Sequence, residues 1–208
     1  MLSAIKNRPY ADAPRLPEGD VIDPREIVGG GASPIELEIG PGRGGFLFER
    51  LGVDPATRMV GLEIKRKWAS IVDGRLRARG FGERARVFAE DARDALRRFT
   101  PDCVSVAFVH FPDPWWKKKH QKRLVLSGSF LPELARVIRP GGQLFIQTDV
   151  EERAAAYEEL VEASPSFEPA GAVARIEENP FGARSPREHR AIADGLPVHR
   201  LLYVRKSS

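Results

Sequence analysis

A glycine-rich turn between a short apolar run and a helical pattern is the first place where this sequence could bind a ligand. Residues 36–46 read ELEIGPGRGGF. Glycines in such a turn let the backbone approach a bound molecule closely, because no Cβ stands in the way. Gly40, Gly42 and Gly45 fit the spacing of a dinucleotide-binding turn, whereas Gly40, Gly42 and Gly44 fit a turn that binds S-adenosylmethionine. The glycines alone leave both cofactors open.

Carboxylates at the ends of the predicted strands help to choose between these cofactors. Glu38, just before the turn, suits the ammonium group of a methionine moiety and repels a pyrophosphate, which favours S-adenosylmethionine. Glu63, at the end of the second predicted strand, can accept two hydrogen bonds from a ribose diol, as either cofactor requires. Asp91, after the third, could accept from an adenine amine, although Asp is also a preferred helix N-cap.

The basic residues of the chain concentrate in one block. Five positive charges lie within residues 117–123, KKKHQKR. The whole chain has 33 basic and 29 acidic residues, so outside this block 28 basic residues face 29 acidic ones. Such a block suits a polyanion, and the alternative is a solvated face. Trp115 and Trp116 adjoin it and could stack on an unpaired base, and the alternative for each is burial in the core, the common fate of such large side chains.

The stretch from His110 to Arg123, HFPDPWWKKKHQKR, carries a family resemblance. It resembles the signature of the bacterial tRNA (guanine-N7)-methyltransferases, F-x-D-P-W-x-K followed by a basic H-x-K-R run. The resemblance covers nearly the whole chain from Ile35, and residues 7–12, NRPYAD, resemble the start of the shorter family members. It implies methyl transfer from S-adenosylmethionine to N7 of a guanine in the variable loop of tRNA.

The resemblance also implies a role for each matched position. Asp113 is implied to be the catalytic residue and a cofactor contact, and Pro112 and Pro114 restrict the backbone on either side of it. The other implied cofactor contacts are Glu38, Gly40, Gly42, Gly44, Glu63 and Asp91. The implied substrate contacts are Lys117, Lys119, His120, Gln121, Lys122, Arg123, Asp149, Ser185 and Glu188. Two positions depart from the family pattern, namely Leu124, where arginine is frequent, and Ser185, where the family has threonine.

The order of the predicted elements indicates an α/β fold, because short apolar runs alternate with helical patterns. The resemblance makes this a Rossmann-like class I S-adenosylmethionine-dependent methyltransferase fold, with a mostly parallel sheet of about seven strands and helices on both faces. The predicted strands are 35–39, 58–63, 84–89, 103–111, 143–148, 167–176 and 196–206, and the last two form an antiparallel end. The predicted helices include 68–76, 131–138 with a stop at residues 140–142 (PGG), and 150–163.

Two later segments have the pattern of helix caps. Asp149 with Glu152 resembles a capping arrangement, and residues 185–188, SPRE, resemble a capping box with proline at the first helical position. Both segments coincide with implied substrate contacts. The two roles can coexist.

Composition bounds the organisation of the chain. Residues 1–34 contain five prolines and a Gly-Gly-Gly run, which predicts an irregular arm, and we expect one methyltransferase domain over residues 35–208. With 42% apolar and 30% charged residues, the chain is neither disordered nor a disulfide scaffold. No apolar run approaches the roughly 20 residues of a membrane span, and the N-terminus lacks the pattern of a signal peptide. We therefore expect a cytoplasmic protein in which Cys103 is a core residue.

The remaining expectations concern metal binding, the oligomeric state and other classes of function. Methyl transfer to N7 requires no metal, and the four histidines show no ligand spacing, so no metal is predicted. The sequence leaves open whether the chain acts as a monomer or a homodimer. Two other function classes also stay open: a nicotinamide-dependent oxidoreductase using Gly40, Gly42 and Gly45, and a noncatalytic RNA-binding module. The first leaves the Trp and Lys residues unexplained, and the second would be expected to have lost Glu38, Glu63 or Asp113.

Overall fold

A single twisted sheet forms the centre of the computed structural model, which describes residues 9–112 and 126–207. Its strands are β1 (Ile35–Ile39), β2 (Met59–Leu62), β3 (Ala85–Phe88), β4 (Val104–His110), β5 (Ile138–Thr148), β6 (Phe167–Pro169), β7 (Arg175–Ile176) and β8 (His199–Arg205). The order is β3-β2-β1-β4-β5-β8-β6, with β7 also paired to β8. Strands β1 to β5 pair in parallel, and β8 is antiparallel to β5, β6 and β7. The predicted antiparallel end of the sheet is confirmed.

Helices cover both faces of the sheet. They are α1 (Pro24–Ile27), α2 (Gly45–Val53), α3 (Arg66–Ala78), α4 (Ala92–Arg98), α5 (Leu131–Val137), α6 (Glu151–Glu162) and α7 (Pro186–Ala193). One apolar cluster contains side chains of α4, α5 and α6, and the second contains side chains of α2 and α3. Strands covered on both faces are mostly apolar, and β1 and β2 are buried at every position, with Glu36 and Glu38 of β1 as the charged residues. The predicted α/β fold is confirmed.

The single strand predicted over residues 167–176 is wrong. The structure has two short strands there, and both pair with β8. Pro169 lies opposite Tyr203, and Arg175 lies opposite Leu201. Only Leu202 separates these two partners on β8, so residues 170–174 have too few partners to continue the ladder and loop out.

The predicted helix stop at residues 140–142 is also wrong. Helix α5 already ends at Val137, and Ile138 begins β5, which contains the Pro-Gly-Gly sequence. The pairing of β4 with β5 shifts register between Val104 and Val106. A Cβ on Gly142 would lie 2.9 Å from the Ser105 carbonyl oxygen, so the glycine permits this irregularity.

The described part of the arm packs on the sheet domain although its backbone is irregular. Leu16, Ile22 and Val28 are buried in the same apolar cluster as β1 and β4. The Ile22 backbone donates to the Arg98 carbonyl at 2.7 Å and accepts from the Thr100 amide at 2.9 Å. The division into an arm of residues 1–34 and a domain of residues 35–208 stays a prediction.

Two composition-based expectations can be compared with the described residues. Cys103 is fully buried, as predicted, and burial raises the pKa of its thiol to about 11. None of the helices in residues 9–112 and 126–207 is both long enough and apolar enough for a transmembrane segment.

The packing of the arm predicts the effect of truncating Ile22. Ile22 is 6% exposed, so the Ile22→Ala variant should lower the free energy of unfolding by about 2–5 kcal/mol, as for other large-to-small core changes. Urea unfolding followed by circular dichroism measures this. Val21→Ala is the matched control, because Val21 is 74% exposed and its truncation should change stability by less than about 0.5 kcal/mol. Equal effects of the two variants would contradict the packing of the arm.

Candidate active site

The acidic residues singled out in the sequence gather at one edge of the sheet. Glu38 lies near the carboxyl end of β1, Glu63 and Asp91 follow β2 and β3, and Asp149 follows β5. Because neighbouring parallel strands lie about 4.8 Å apart, these positions form a row along that edge. Ligands bind at this edge in open α/β sheets.

The glycine-rich turn after β1 adopts a conformation that requires its glycines. The φ angles of Gly40, Gly42 and Gly44 are +72°, +54° and +76°, which place all three in the left-handed region. Gly45 has another role, because it is the first residue of α2 and faces α7. A Cβ there would lie 2.2 Å from Cγ of Pro186. The turn is therefore closely covered by the start of α7.

Glu63 holds this turn in place. Its Oε2 accepts a hydrogen bond from the Gly42 amide at 2.9 Å, and its Oε1 accepts one from the Lys65 amide at 2.8 Å. The residue is only 5% exposed. Each carboxylate oxygen has a second lone pair, so these bonds still allow contact with a diol. The ribose contact stays a prediction.

Glu38 forms a buried pair with His110, a residue that the sequence reasoning gave no role. His110 Nδ1 lies 3.1 Å from Glu38 Oε1, and a carboxylate only accepts, so Nδ1 carries the hydrogen. The centroid of the imidazole ring lies 4.2 Å from the centroid of the Phe46 ring. Glu38 Oε2 and His110 Nε2 are buried and have no partner among the described residues. A buried carboxylate oxygen without a partner is costly, so it suits a bound cation.

The alternation of side chains between the two faces of a strand could have revealed this pair. Glu38 pairs in register with Phe108 on β4, and His110 lies two residues further along that strand, on the same face. The sequence alone does not show that β4 is the neighbour of β1. That order requires the crossover past β2 and β3.

Asp91 has the helix-capping role considered in the sequence analysis. Its carboxylate accepts from the Arg93 amide at 3.0 Å and caps α4. Hydrogen bonds from the Arg93 side chain lower the pKa of Asp91. The N-cap prediction is confirmed, and the contact to adenine stays a prediction.

Asp149 does not cap a helix, so that prediction is wrong. The N-cap residue of α6 is Val150, which makes no capping bond through its side chain. The Asp149 carboxylate instead accepts a hydrogen bond from Arg187 Nε at 3.0 Å. This ion pair links the end of β5 to the start of α7.

One of the two hydrogen bonds of the predicted capping box is present at the start of α7. Ser185 Oγ accepts from the Glu188 amide at 3.2 Å. The Glu188 side chain does not return this contact, because its carboxylate accepts from Arg200 Nε at 2.9 Å and Asn179 Nδ2 at 3.0 Å. Glu188 is fully buried. Its substrate role stays a prediction, and its described contacts position the start of α7.

A cavity of about 240 Å³ lies between the glycine-rich turn, the end of β4 and the start of α7. Phe111 at its rim has a φ of +46°, which is unusual for a residue with a bulky side chain. The Phe111 amide donates to the Gln147 carbonyl at 2.8 Å, and this bond holds the unusual backbone. The lining residues include Glu38, Gly40, Arg43, Phe46, His110, Ser185, Pro186 and Arg187.

The predicted catalytic residue and the basic block lie outside the described residues. These positions are Asp113, Lys117, Lys119, His120, Gln121, Lys122 and Arg123, together with Trp115 and Trp116. In sequence they follow β4, which ends at the site edge with His110. Within residues 9–112 and 126–207, no group of three His, Cys, Asp or Glu side chains is arranged to hold a metal ion.

Comparison with known proteins identifies the family. A family described as putative methyltransferase matches residues 32–201. A tRNA (guanine-N(7)-)-methyltransferase of Myxococcus xanthus is 36% identical over 172 residues, which cover 82% of this chain and 83% of that protein. One from Prochlorococcus marinus is 34% identical over 190 residues, which cover 88% of this chain and 79% of that protein. The chain belongs to the tRNA (guanine-N7)-methyltransferase family.

Solved structures show the same fold for this member of the tRNA (guanine-N7)-methyltransferase family. An S-adenosylmethionine-dependent O-methyltransferase of Thermotoga maritima superposes on this chain with a TM-score of 0.54 and is 13% identical. The superposed part covers 92% of this chain and 68% of that protein chain. An rRNA methylase of Streptococcus thermophilus has a TM-score of 0.52 at 13% identity, with coverages of 84% and 88%. The predicted Rossmann-like class I fold is confirmed.

The contact between the turn and α7 predicts opposite effects for two alanine substitutions in α2. Gly45→Ala places a methyl group against Pro186 and should lower the free energy of unfolding by about 1–3 kcal/mol. Gly52→Ala is the control, because a Cβ there meets nothing within 4 Å, and it should leave stability unchanged or raise it by up to about 1 kcal/mol. Urea unfolding measures both. A Gly45→Ala variant as stable as Gly52→Ala would contradict the packing of α7 on the turn.

Proposed function

We propose that this protein transfers the methyl group of S-adenosylmethionine to N7 of a guanine in tRNA, at position 46 of the variable loop. The observation that carries the proposal is the likeness to tRNA (guanine-N(7)-)-methyltransferases over 82–88% of the chain. The residues that carry out the reaction lie in a domain of residues 35–208, which follows an arm of residues 1–34. The reaction takes place in the cytoplasm. Every residue assigned to it lies in one chain, so the proposal holds for a monomer and for a homodimer.

The site fits S-adenosylmethionine better than a dinucleotide. When bound, this cofactor supplies an electrophilic methyl group on a positively charged sulfur. The free Glu38 Oε2 accepts from the ammonium of the methionine moiety, and the same buried carboxylate would repel a pyrophosphate. Glycines 40, 42 and 44 let the backbone approach, Glu63 accepts from the ribose hydroxyls, and Asp91 accepts from the adenine amine.

Positioning of the guanine is the main task of the remaining residues. Guanine N7 has an in-plane lone pair and no proton, so no strong base is needed. Asp113 orients the base and stabilises the positive charge that enters the purine ring during transfer. The family resemblance also assigns Asp113 a cofactor contact, and in sequence Asp113 follows β4, which ends at the edge that contains Glu38.

The tRNA contacts come from three segments. Lys117 and residues 119–123 hold phosphates near the methylated nucleotide. Asp149 and Ser185 face the substrate from the end of β5 and the start of α7, and Arg187 links these two elements. Glu188 supports this arrangement through Arg200.

The atom that is methylated can be tested chemically. Methylation at N7 leaves a cationic imidazole ring, which borohydride reduces, and aniline then cleaves the strand at that nucleotide. Unmodified tRNA transcript incubated with the protein and S-adenosylmethionine should therefore break at one guanine, and mass spectrometry should find 7-methylguanosine. Transcript incubated without the cofactor should stay intact. Methyl incorporation without this cleavage would assign a different acceptor atom.

The role of Glu38 can be tested by binding alone. Glu38→Gln keeps an acceptor for His110 but removes the charge, so S-adenosylhomocysteine should bind about tenfold or more weakly, as expected for loss of one charge-assisted hydrogen bond. 5′-Methylthioadenosine lacks the amino-acid end and should bind within about twofold of its original affinity. Calorimetry measures both ligands, with the exposed Glu83→Gln as the control variant. Equal weakening of both ligands would show that Glu38 supports the fold of the site and does not bind the ammonium.

A further inference from the structure

A second concentration of positive charge lies on α3 and the adjoining glycine-rich turn. Its members are exposed cations that form no ion pair with a carboxylate of the described residues. They are Arg43, Lys65, Arg66, Lys67, Arg75 and Arg79, and together they form the α3 basic surface. In sequence they are spread over residues 43–79 and only the fold brings them together.

Several other arginines of the chain are paired with carboxylates. Arg50 pairs with Glu36, and Arg93 pairs with Asp91. When the five cations of residues 117–123 and the six of the α3 basic surface are set aside, 22 basic residues face 29 acidic ones. The rest of the protein therefore has seven more acidic than basic residues, and these two places hold a local excess of positive charge.

The start of α3 has a charge pattern that opposes helix stability. A helix N-terminus carries partial positive charge, so acidic residues are stabilising there and cations cost a few tenths of a kcal/mol to about 1 kcal/mol each. Lys65 is the N-cap residue and makes no capping bond, Arg66 and Lys67 follow it, and the first turn contains no acidic residue. Conflicts of this kind between local stability and sequence are expected at functional positions.

Aromatic rings hold several of these cations without neutralising them. The Arg43 guanidinium lies 4.9 Å from the Trp68 ring centroid, and the Lys67 ammonium lies 5.2 Å from it. Arg75 and Arg79 lie 4.7 and 4.8 Å from the ring of Phe48. Cation–π contacts orient the side chains and leave their charge available to an anion.

The surface begins at the same edge of the sheet as the active site. The Lys65 amide is bonded to Glu63, and Arg43 follows Gly42 in the glycine-rich turn. The cofactor has a net positive charge, so a group of six cations does not match it and suits a polyanion. On α3, Ala69, Val72 and Leu76 are buried in the core and Trp68 and Ile71 are half-buried, so the helix presents no fully exposed large apolar side chain to a lipid bilayer. An RNA backbone fits better than a membrane.

We propose that the α3 basic surface binds phosphates of the tRNA body, as a second contact in addition to residues 117–123. The inference rests on the proposed function, because it takes tRNA as the substrate. It adds a position for the RNA: the strand that enters the site also runs along the side of the domain formed by α3. Arg43 lines the cavity itself, and Lys65, Arg66 and Lys67 at the start of α3 make the first of these contacts outside it.

The test neutralises the three cations at the start of α3 in the full chain, as Lys65→Gln, Arg66→Gln and Lys67→Gln together. Each lost phosphate contact lowers the slope of log affinity against log salt concentration by about 0.7–0.9. With an unmodified tRNA transcript, the magnitude of this slope should therefore be about 2 to 3 smaller for the triple variant than for the original protein. It should also bind roughly tenfold or more weakly at about 0.1 M salt. Fluorescence anisotropy across a potassium chloride series measures both quantities.

The control neutralises three exposed cations at the opposite edge of the sheet, as Arg97→Gln, Arg139→Gln and Lys206→Gln together. These residues lie at the end of α4, near the start of β5 and after the end of β8. The control should keep the original slope, and both triple variants should bind S-adenosylhomocysteine with the original affinity. This comparison separates a local contact from the general effect of removing three charges.

Several outcomes would overturn the inference. An unchanged slope in the α3 variant, an equal loss of slope in the control, or a loss of S-adenosylhomocysteine binding by the α3 variant each do so. Sedimentation with phosphatidylserine–phosphatidylcholine vesicles should show no binding of the original protein. Vesicle binding that the α3 variant loses, with an unchanged tRNA slope, would assign the surface to membranes. An original protein that does not bind tRNA would instead contradict the proposed function.

Discussion

The Glu63 carboxylate fixes two loops at once. One of its oxygens accepts from the Gly42 amide in the turn after β1, and the other accepts from the Lys65 amide at the start of α3. Buried backbone amides need such partners, since an unpaired one costs a free energy comparable to a lost hydrogen bond. The turn, the first residue of α2 and the start of α3 therefore keep one arrangement relative to the sheet. The cavity on one side and the α3 basic surface on the other both depend on it.

Charges of opposite sign are separated by depth at this edge. The carboxylates of Glu38 and Glu63 are buried beneath the turn, whereas Lys65, Arg66 and Lys67 are exposed beside it. In the proposed function, a small cofactor with a net positive charge would contact the buried carboxylates. A polyanion is too large to follow and would contact the cations outside. The proposals thus assign two ligands of opposite charge to different depths of the same edge.

The parts of this structure that were predicted from sequence depend on local patterns. Apolar runs gave β1 to β5, and an Asp before a helical run gave the cap of α4, because burial on both faces and capping act over a few residues. The break between β6 and β7 was missed, since it depends on how many residues β8 offers as partners. His110 was missed because its contact with Glu38 follows from the order of strands. The burial of Glu188 depends on Arg200, twelve residues away on another element.

Helix α7 and the segment before it come late in the chain but cover an early turn. Pro186 lies against Gly45, and the Arg50 guanidinium donates to the Phe181 carbonyl at 2.9 Å. These contacts join residues more than a hundred positions apart, so forming them requires closure of a long loop. Synthesis proceeds from the N-terminus, so the turn and its carboxylates emerge from the ribosome long before their cover. A nascent chain that ends before β8 has its glycine-rich turn but lacks the strand to which Arg200, a partner of Glu188 on α7, belongs, so the covered turn is a property of the chain that includes β8.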